Sequence, residues 1–264
     1  MANIQQIVKE LRKSLNSFDL EKAIELSDNE AKTRMYLVEP FFVSLRFNRG
    51  FENGNLVPEF DADFASLKGK KVDYAILFKK KPEVIVEVKK ANVKLTDKHL
   101  AQLNEYFNNT NESKIGILTN GVQYKFYCRN NKSGNGLHPT PFYSFDWENI
   151  EGSQLEKLAE FYATSIDTKL IIESAQDLFF LEGFEEALFK ELSNPSNGLI
   201  KSIYSHMNGS RLNDSIEKQI KELINSVSLK TALDRLIIEE SKSVNSNIIT
   251  TDDELKVFHV VKTI

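Results

Sequence analysis

The sequence lacks the residues that mark several common classes of protein. It has one cysteine, Cys128, which excludes an internal disulfide and a cysteine-cluster metal site. Its four histidines do not have the spacing of a zinc site, and it contains no P-loop. No apolar run approaches the roughly 20 residues of a membrane-spanning helix, and the amphipathic N-terminus, with Glu10, is unlike a secretory signal. We therefore expect a cytoplasmic protein with no membrane partner.

A large excess of one charge is also missing, but the charges are distributed unevenly. The formal net charge is −4. Residues 1–150 contain 22 Lys and Arg against 19 Asp and Glu, whereas residues 151–264 contain 12 against 19. Within residues 68–98, ten lysines accompany four acidic residues. This local excess favours contact with nucleic-acid phosphates, although a solvated sheet edge protected by lysines has the same composition.

The central feature of the sequence is the stretch of residues 72–89, VDYAILFKKKPEVIVEVK. Two short apolar runs flank the polar turn KKKP, which predicts a β-hairpin. Because side chains alternate along a strand, Glu87 and Lys89 are expected on the face opposite the three valines of the second run. Asp73, at the start of the first run, can meet Glu87 across the pair. Buried charges are unfavourable unless they pair or bind a metal, so the hairpin predicts a functional cluster.

Helical patterns precede the hairpin. Residues 3–26 have helical spacing, and Ser27-Asp28-Asn29-Glu30 has the sequence of a capping box that opens the next helix. That helix is expected to end at Arg49 and to kink or break at Pro40. Its predicted apolar stripe consists of Ala31, Met35, Val38, Phe42 and Leu45.

Further elements follow the hairpin. A helix capped by Thr96 is expected to reach about Asn108, with a polar stripe at His99, Gln102 and Tyr106. A buried strand then leads into Asn120-Gly121, a strong hairpin signal. One element precedes residues 72–89: Pro58 predicts that a short strand there lies at an edge of the sheet.

The spacing of Asp73, Glu87 and Lys89 resembles the catalytic motif of the PD-(D/E)xK nuclease superfamily. The blocks KGKKVDYAI, IVEVKKANVKL, HLAQLNEYF and GILTNGVQYKFY resemble the N-terminal nuclease domain of type I restriction enzyme R subunits and its stand-alone relatives. The resemblance covers about residues 29–145. It implies an α/β fold with a restriction-endonuclease-like αβββαβ core, in which helices flank a mixed sheet.

The resemblance also implies roles for the clustered residues. Asp73 and Glu87 would bind Mg²⁺, with Mn²⁺ as a substitute, and Lys89 would orient the attacking water or neutralise charge in the transition state. Glu30, at the position of a glutamate that precedes the core sheet in these nucleases, would contribute to the metal site. A capping glutamate that satisfies a backbone N–H is the alternative for Glu30.

Three further residues have expected roles around the cluster. Gln102 and Tyr106 resemble a QxxxY motif of the superfamily and, together with Lys90, would brace the site or contact DNA. The spacing of Gln102 and Tyr106 is equally typical of half-buried side chains on an amphipathic helix.

The composition changes after residue 150, where strand signals fade and helical periods continue to Leu236. We therefore predict a nuclease-like domain over residues 1–150 and an all-α region over residues 151–264. The helical half is expected to pack on the core, to bind a protein partner or to self-associate. Residues 252–264 end on the apolar run FHVVKTI without a helix cap, so we expect the native chain to extend past Ile264.

The resemblance implies a Mg²⁺-dependent DNA endonuclease of restriction or phage-defence type. The alternative is a non-catalytic DNA-binding or assembly module that keeps the nuclease fold. The presence of all three core residues favours the enzyme. Type I R subunits resemble this sequence only in their nuclease domain, so cleavage coupled to DNA translocation is not implied.

Overall fold

The computed structural model describes residues 3–49, 54–61, 71–110, 112–129, 136–150 and 152–226. Within them, a mixed six-stranded sheet is accompanied by helices, which confirms the predicted α/β class. The loop predicted between Asp61 and Lys71, the helical period at Leu229 to Leu236 and the C-terminal segment 252–264 lie outside the described residues.

The elements of the described residues are numbered in chain order. The helices are α1 (Ile4–Asn16), α2 (Leu20–Leu26), α3 (Glu30–Thr33), a π-helical turn (Arg34–Val38), α4 (Glu39–Ser44), α5 (Asp97–Asn108), a 3₁₀ turn (Trp147–Asn149), α6 (Gly152–Ala159), α7 (Thr168–Ser193), α8 (Asn197–His206) and α9 (Asp214–Ile224). The strands are β1 (Leu56–Asp61), β2 (Lys71–Phe78), β3 (Lys81–Val88), β4 (Ile115–Thr119), β5 (Gln123–Cys128) and β6 (Tyr143–Asp146).

The strands lie in the sheet in their order along the chain, from β1 to β6. Only β3 and β4 are parallel, and α5 forms the crossover that a parallel pair requires. Pro58 lies in the edge strand β1, as predicted. Strand β6 pairs with β5 in antiparallel fashion, and its Phe145 stacks on Tyr124 with 5.1 Å between ring centroids.

Apolar side chains cover both faces of the sheet. Val84, Val86 and Val88 share one core with residues of α1, α4 and α6. Ile85 lies in a second core with Leu103 of α5. The alternation predicted for the hairpin is therefore confirmed.

The turn of the β2–β3 hairpin consists of two residues. Lys79 and Lys80 have φ of +51° and +68°, as in a type I′ turn, whose twist matches that of the flanking strands. Lys81 and Pro82, which the sequence assigned to the turn, belong to β3.

The predicted capping box before the sheet is wrong. Asn29 caps α3, since its side chain accepts a hydrogen bond from the Lys32 N–H at 2.9 Å. Ser27 instead ends α2, and its hydroxyl donates to the carbonyl of Ala23 at 2.7 Å. Glu30 is thus the first residue of α3, and its carboxylate is not required as a cap.

The next two helical predictions also need correction. A break at residues 17–19 separates α1 from α2. The helix after Glu30 is interrupted by the π-helical turn, and α4 follows with Pro40 in its first turn. A π-helical turn contains an extra residue, which shifts the apolar stripe. Met35, predicted on the buried face, is 58% exposed, whereas Leu37 is buried.

Contacts divide the chain into one unit up to Leu181 and a second from Glu182. The first unit extends past residue 150, where the composition changes, because side chains such as Leu155 and Ile171 belong to a core of the sheet. In the second unit, α8 and α9 share a small core that contains Ile200 and Ile220.

The described part of residues 151–264 is helical, as predicted. Among the described residues, no helix has the length and apolar character needed to span a bilayer. Helix α7 exposes Phe180, Phe184 and Phe189. Binding of a protein partner or self-association through these helices remains a prediction.

Gly121, in the β4–β5 turn, packs against the π-helical turn. Its φ is +82°, and a Cβ at this position would lie 2.7 Å from the Cβ of Leu37. We expect Gly121→Ala to lower the free energy of unfolding by roughly 3 kcal/mol, because a left-handed backbone costs about 1–2 kcal/mol and overpacking about 1–3 kcal/mol. Denaturant unfolding followed by the fluorescence of the buried Trp147 measures the change.

Gly152→Ala is the matched control for this substitution. Gly152 also has positive φ, +50°, but nothing lies within 4 Å of a Cβ built there. Only the backbone cost of about 1–2 kcal/mol is therefore expected. Equal losses in the two variants would show that contact with Leu37 is unimportant.

Candidate functional site

Three carboxylates lie in one row across β1, β2 and β3. The pairing of Tyr74 with Val86 places Asp73 opposite Glu87. The register of β1 against β2 places Glu59 opposite Asp73 on the other side. Like charges that face each other across strands repel, so this row requires neighbouring cations.

Lys89 is the first of these cations. Its Nζ lies 2.7 Å from Glu87 Oε1, 3.1 Å from Gln102 Oε1 and 3.6 Å from Glu30 Oε1. Lys89 is 9% exposed and Glu87 2% exposed. One buried ammonium group therefore connects β3, α5 and α3.

Arg34 is the second cation, and it is not among the residues predicted from the sequence. Its Nη1 lies 2.5 Å from Glu59 Oε1 and 3.1 Å from Asp73 Oδ1. The other oxygen of Asp73 accepts the backbone N–H of Val88 at 2.7 Å. Arg34 follows Glu30 by four residues, the spacing that places two side chains on one side of a helix, and this signal was available in the sequence.

Backbone hydrogen bonds hold these elements together. The Thr33 hydroxyl, at the end of α3, accepts the N–H of Ala91 just after β3 at 2.9 Å. The N–H of Lys89 donates to the carbonyl of Thr119 in β4 at 2.7 Å. These bonds fix the helix that carries Glu30 beside the C-terminal end of β3.

The pKa values reflect this crowding of buried carboxylates. Burial raises the pKa of Glu87 to about 7, and the charge of Asp73 adds to the rise while Lys89 opposes it. Burial also raises the pKa of Asp73, against the opposing Val88 hydrogen bond and the charge of Arg34. For Lys89, burial disfavours the charged form, but the hydrogen bond to Glu87 and the surrounding carboxylates outweigh it and raise the pKa.

The structure brings together five of the residues selected from the sequence. These are Glu30, Asp73, Glu87, Lys89 and Gln102.

Two other selected residues lie elsewhere. Tyr106 is 6% exposed and packs in the core formed by α5, so it does not reach the charged cluster. Lys90 is exposed, and its charge acts on the Asp28 carboxylate, whose pKa is lowered mainly by a hydrogen bond from Lys32.

The donors at this site fit a hard divalent cation in part. No group of three or more His, Cys, Asp or Glu side chains among the described residues is arranged to hold a metal ion. Asp73 and Glu87 nevertheless form a buried pair whose mutual repulsion a divalent cation would relieve. Mg²⁺ commonly uses only one or two carboxylates and completes its coordination with water and substrate phosphate. The donor set is therefore suitable for Mg²⁺, with Glu30 half-exposed at its margin.

A cavity of about 420 Å³ lies near the N-terminal end of β3, away from Lys89. Four of its charged residues form two pairs: Lys114 lies 2.9 Å from Glu83, and Lys81 lies 2.6 Å from Glu112. It contains none of the residues of the carboxylate row.

The raised pKa of Glu87 predicts a pH-dependent loss of stability in metal-free protein. Between about pH 4.5 and 7, the folded state holds a proton that the unfolded state releases, so stability falls as the pH rises. A shift of this size corresponds to about 3 kcal/mol. We therefore expect the free energy of unfolding of Glu87→Gln, relative to that of the wild type, to rise by roughly 3 kcal/mol as the pH is raised from 4 to 8. Denaturant unfolding in EDTA, followed by Trp147 fluorescence, measures this difference.

Glu30→Gln is the control, because it removes a half-exposed carboxylate near the same lysine. A constant difference between wild type and Glu87→Gln across this pH range would show that burial of Glu87 does not govern its titration.

Comparison with known proteins relates the sheet to one family. Residues 39–141 match the family model for the type I restriction enzyme R protein N terminus. The match includes Asp73, Glu87, Lys89 and Gln102, and Glu30 and Arg34 precede it. Searches of curated proteins and of solved structures found no match. Residues 39–141, which include β1 to β5, are thus similar to a restriction-enzyme family.

Proposed function

We propose that the chain is a metal-dependent DNA endonuclease of restriction or phage-defence type, with the PD-(D/E)xK arrangement of catalytic residues. The observation that carries the proposal is the pair of carboxylates, the partly buried Asp73 and the buried Glu87, beside Lys89. The match to the restriction enzyme R family supports it. The chain order of a helix, β1, β2, β3, α5 and β4 agrees with an αβββαβ core.

Asp73 and Glu87 would hold Mg²⁺, or Mn²⁺ in its place. When bound, the ion would polarise a phosphate and lower the pKa of an attacking water. Asp73 is oriented for this role, because the Val88 N–H fixes one carboxylate oxygen. Lys89 engages one oxygen of Glu87, so the other carboxylate oxygen would be the one to bind an ion.

Lys89 would keep its place when Glu87 turns to a ligand, since Gln102 and Glu30 also approach its ammonium group. Its raised pKa keeps it protonated near neutral pH. Lys89 can therefore donate a hydrogen bond to the attacking water or to the phosphate as negative charge develops there. Base contacts determine sequence preference, and none of these groups reads a base.

The first test is plasmid cleavage with Mg²⁺, Mn²⁺ or EDTA. We expect metal-dependent cleavage that falls by at least about 100-fold in Asp73→Asn and in Lys89→Met, because each loses a group that acts on the reacting phosphate. Glu83→Gln is the matched control. Glu83 lies in β3, the strand that carries Glu87, and it pairs with a lysine, Lys114, outside the carboxylate row.

A calorimetric Mn²⁺ titration separates the proposed enzyme from a non-catalytic module. Mn²⁺ binding that disappears in Asp73→Asn supports a metal site at the carboxylate pair. A folded wild type that binds DNA but neither binds Mn²⁺ nor cleaves would contradict the proposal and indicate a DNA-binding or assembly module.

Gln102 is expected to position Lys89. Gln102→Leu removes the 3.1 Å contact with Lys89 Nζ at similar side-chain volume. We expect kcat for cleavage to fall roughly 10- to 100-fold while Mn²⁺ affinity stays unchanged, because loss of one hydrogen bond to a charged group corresponds to about 1.5–3 kcal/mol. Gln123→Leu, at an exposed position of β5, is the control. An equal loss in both variants, or a parallel loss of Mn²⁺ binding, would contradict a positioning role.

A further inference from the structure

A cavity of about 220 Å³ opens on the β1 side of the carboxylate row. Arg34 and Arg49 both line it, together with Glu39, Glu59 and Tyr74. The sequence patterns pointed to none of these five residues as functional. Arg34 also contacts Asp73, so the cavity adjoins the proposed catalytic cluster directly.

Each arginine is held by one glutamate. Arg34 lies 2.5 Å from Glu59, and Arg49 lies 2.8 Å from Glu39. The Tyr74 hydroxyl donates a second hydrogen bond to Glu39 at 2.7 Å. Glu39 would therefore keep a partner if Arg49 turned to another anion.

The backbone at Glu59 is unusual for a strand. Glu59 has φ of +51°, a left-handed conformation that is uncommon for a residue other than glycine. Strained residues of this kind persist where the surrounding structure imposes them, often at ligand sites. The Glu59 side chain is 54% exposed, so it can leave Arg34 without burying an unpaired charge.

Two guanidinium groups in one cavity match the chemistry of a phosphate. The planar donors of arginine bind phosphate oxygens in pairs, a geometry that lysine cannot reproduce. Because Arg34 lies between Glu59 and Asp73, an anion that replaced Glu59 would lie beside the carboxylate pair.

We propose that Arg34 and Arg49 form a subsite for a DNA backbone phosphate next to the cleaved bond. In the free protein, Glu59 and Glu39 occupy the two guanidinium groups, and the phosphate takes their place when DNA binds. This assignment rests on the proposed nuclease function, because that function identifies the phosphate as part of a DNA strand.

The test measures binding of a short fluorescent DNA duplex in EDTA, which prevents cleavage, over a range of salt concentrations. We expect Arg34→Gln and Arg49→Gln each to weaken binding roughly tenfold and to reduce the slope of log affinity against log salt by about 0.9, the value for one phosphate contact. Lys13→Gln, at an exposed position of α1 outside the cavity, removes the same charge and should change neither quantity.

Glu59→Gln protects the test against variants that misfold. It removes the anion that competes for Arg34, so we expect DNA to bind about threefold more tightly. Misfolding does not tighten binding, and the fluorescence of Trp147 checks the fold of every variant. If folded Glu59→Gln binds DNA as the wild type does or more weakly, the proposal that a DNA phosphate replaces Glu59 at Arg34 is overturned.

The remaining outcomes distinguish the subsite from the nuclease. Suppose that the wild type binds the duplex and cleaves plasmid, and that the two arginine variants bind the duplex as tightly as Lys13→Gln does. This result would overturn the subsite and leave the nuclease standing. Inorganic phosphate that binds more tightly than the duplex, and through Arg34 and Arg49, would overturn the assignment to DNA. A wild type that neither binds the duplex nor cleaves would overturn both the nuclease and the subsite.

Discussion

The repulsion among Glu59, Asp73 and Glu87 is the constraint on which the candidate site depends. Their row across three neighbouring strands is tolerated because Lys89 and Arg34 neutralise it from its two ends. Buried ion pairs contribute little net stability, since desolvation offsets much of the Coulomb attraction. A cluster that adds little stability yet engages β1, β2, β3 and three helical segments is better explained by the ligand that it can hold.

The connection between the two parallel strands brings the remaining groups to this row. The crossover from β3 to β4 contains α5, which brings Gln102 to Lys89 at the end of β3. The Thr33–Ala91 hydrogen bond brings the start of α3, and with it Glu30, to the same end. The site is thus made where a strand, its crossover helix and the helix before the sheet meet.

The sequence predicted the part of the site that depends on strand geometry. Alternation alone separates Glu87 from the valines of β3, and hairpin pairing alone brings Asp73 opposite it. The sequence did not predict the side-chain positions that depend on irregular backbone, because neither the helical nor the strand period describes such backbone. The left-handed Glu59 and the π-helical turn place Arg34 in the site, and Tyr106 moved from the predicted polar stripe into the core because the apolar face of α5 is wider than its spacing suggested.

The π-helical turn links packing to chemistry. In an uninterrupted α-helix, successive residues are rotated by about 100°, and the predicted stripe would have carried Met35 into the core. The extra residue exposes Met35, buries Leu37 against the β4–β5 turn, and begins at the residue that contacts both Glu59 and Asp73. Such turns are less regular than an α-helix, and they are frequent at functional sites. The π-helical turn therefore supplies both the side chain of Leu37 that packs on Gly121 and Arg34, which contacts Asp73 of the carboxylate row and lines the neighbouring cavity.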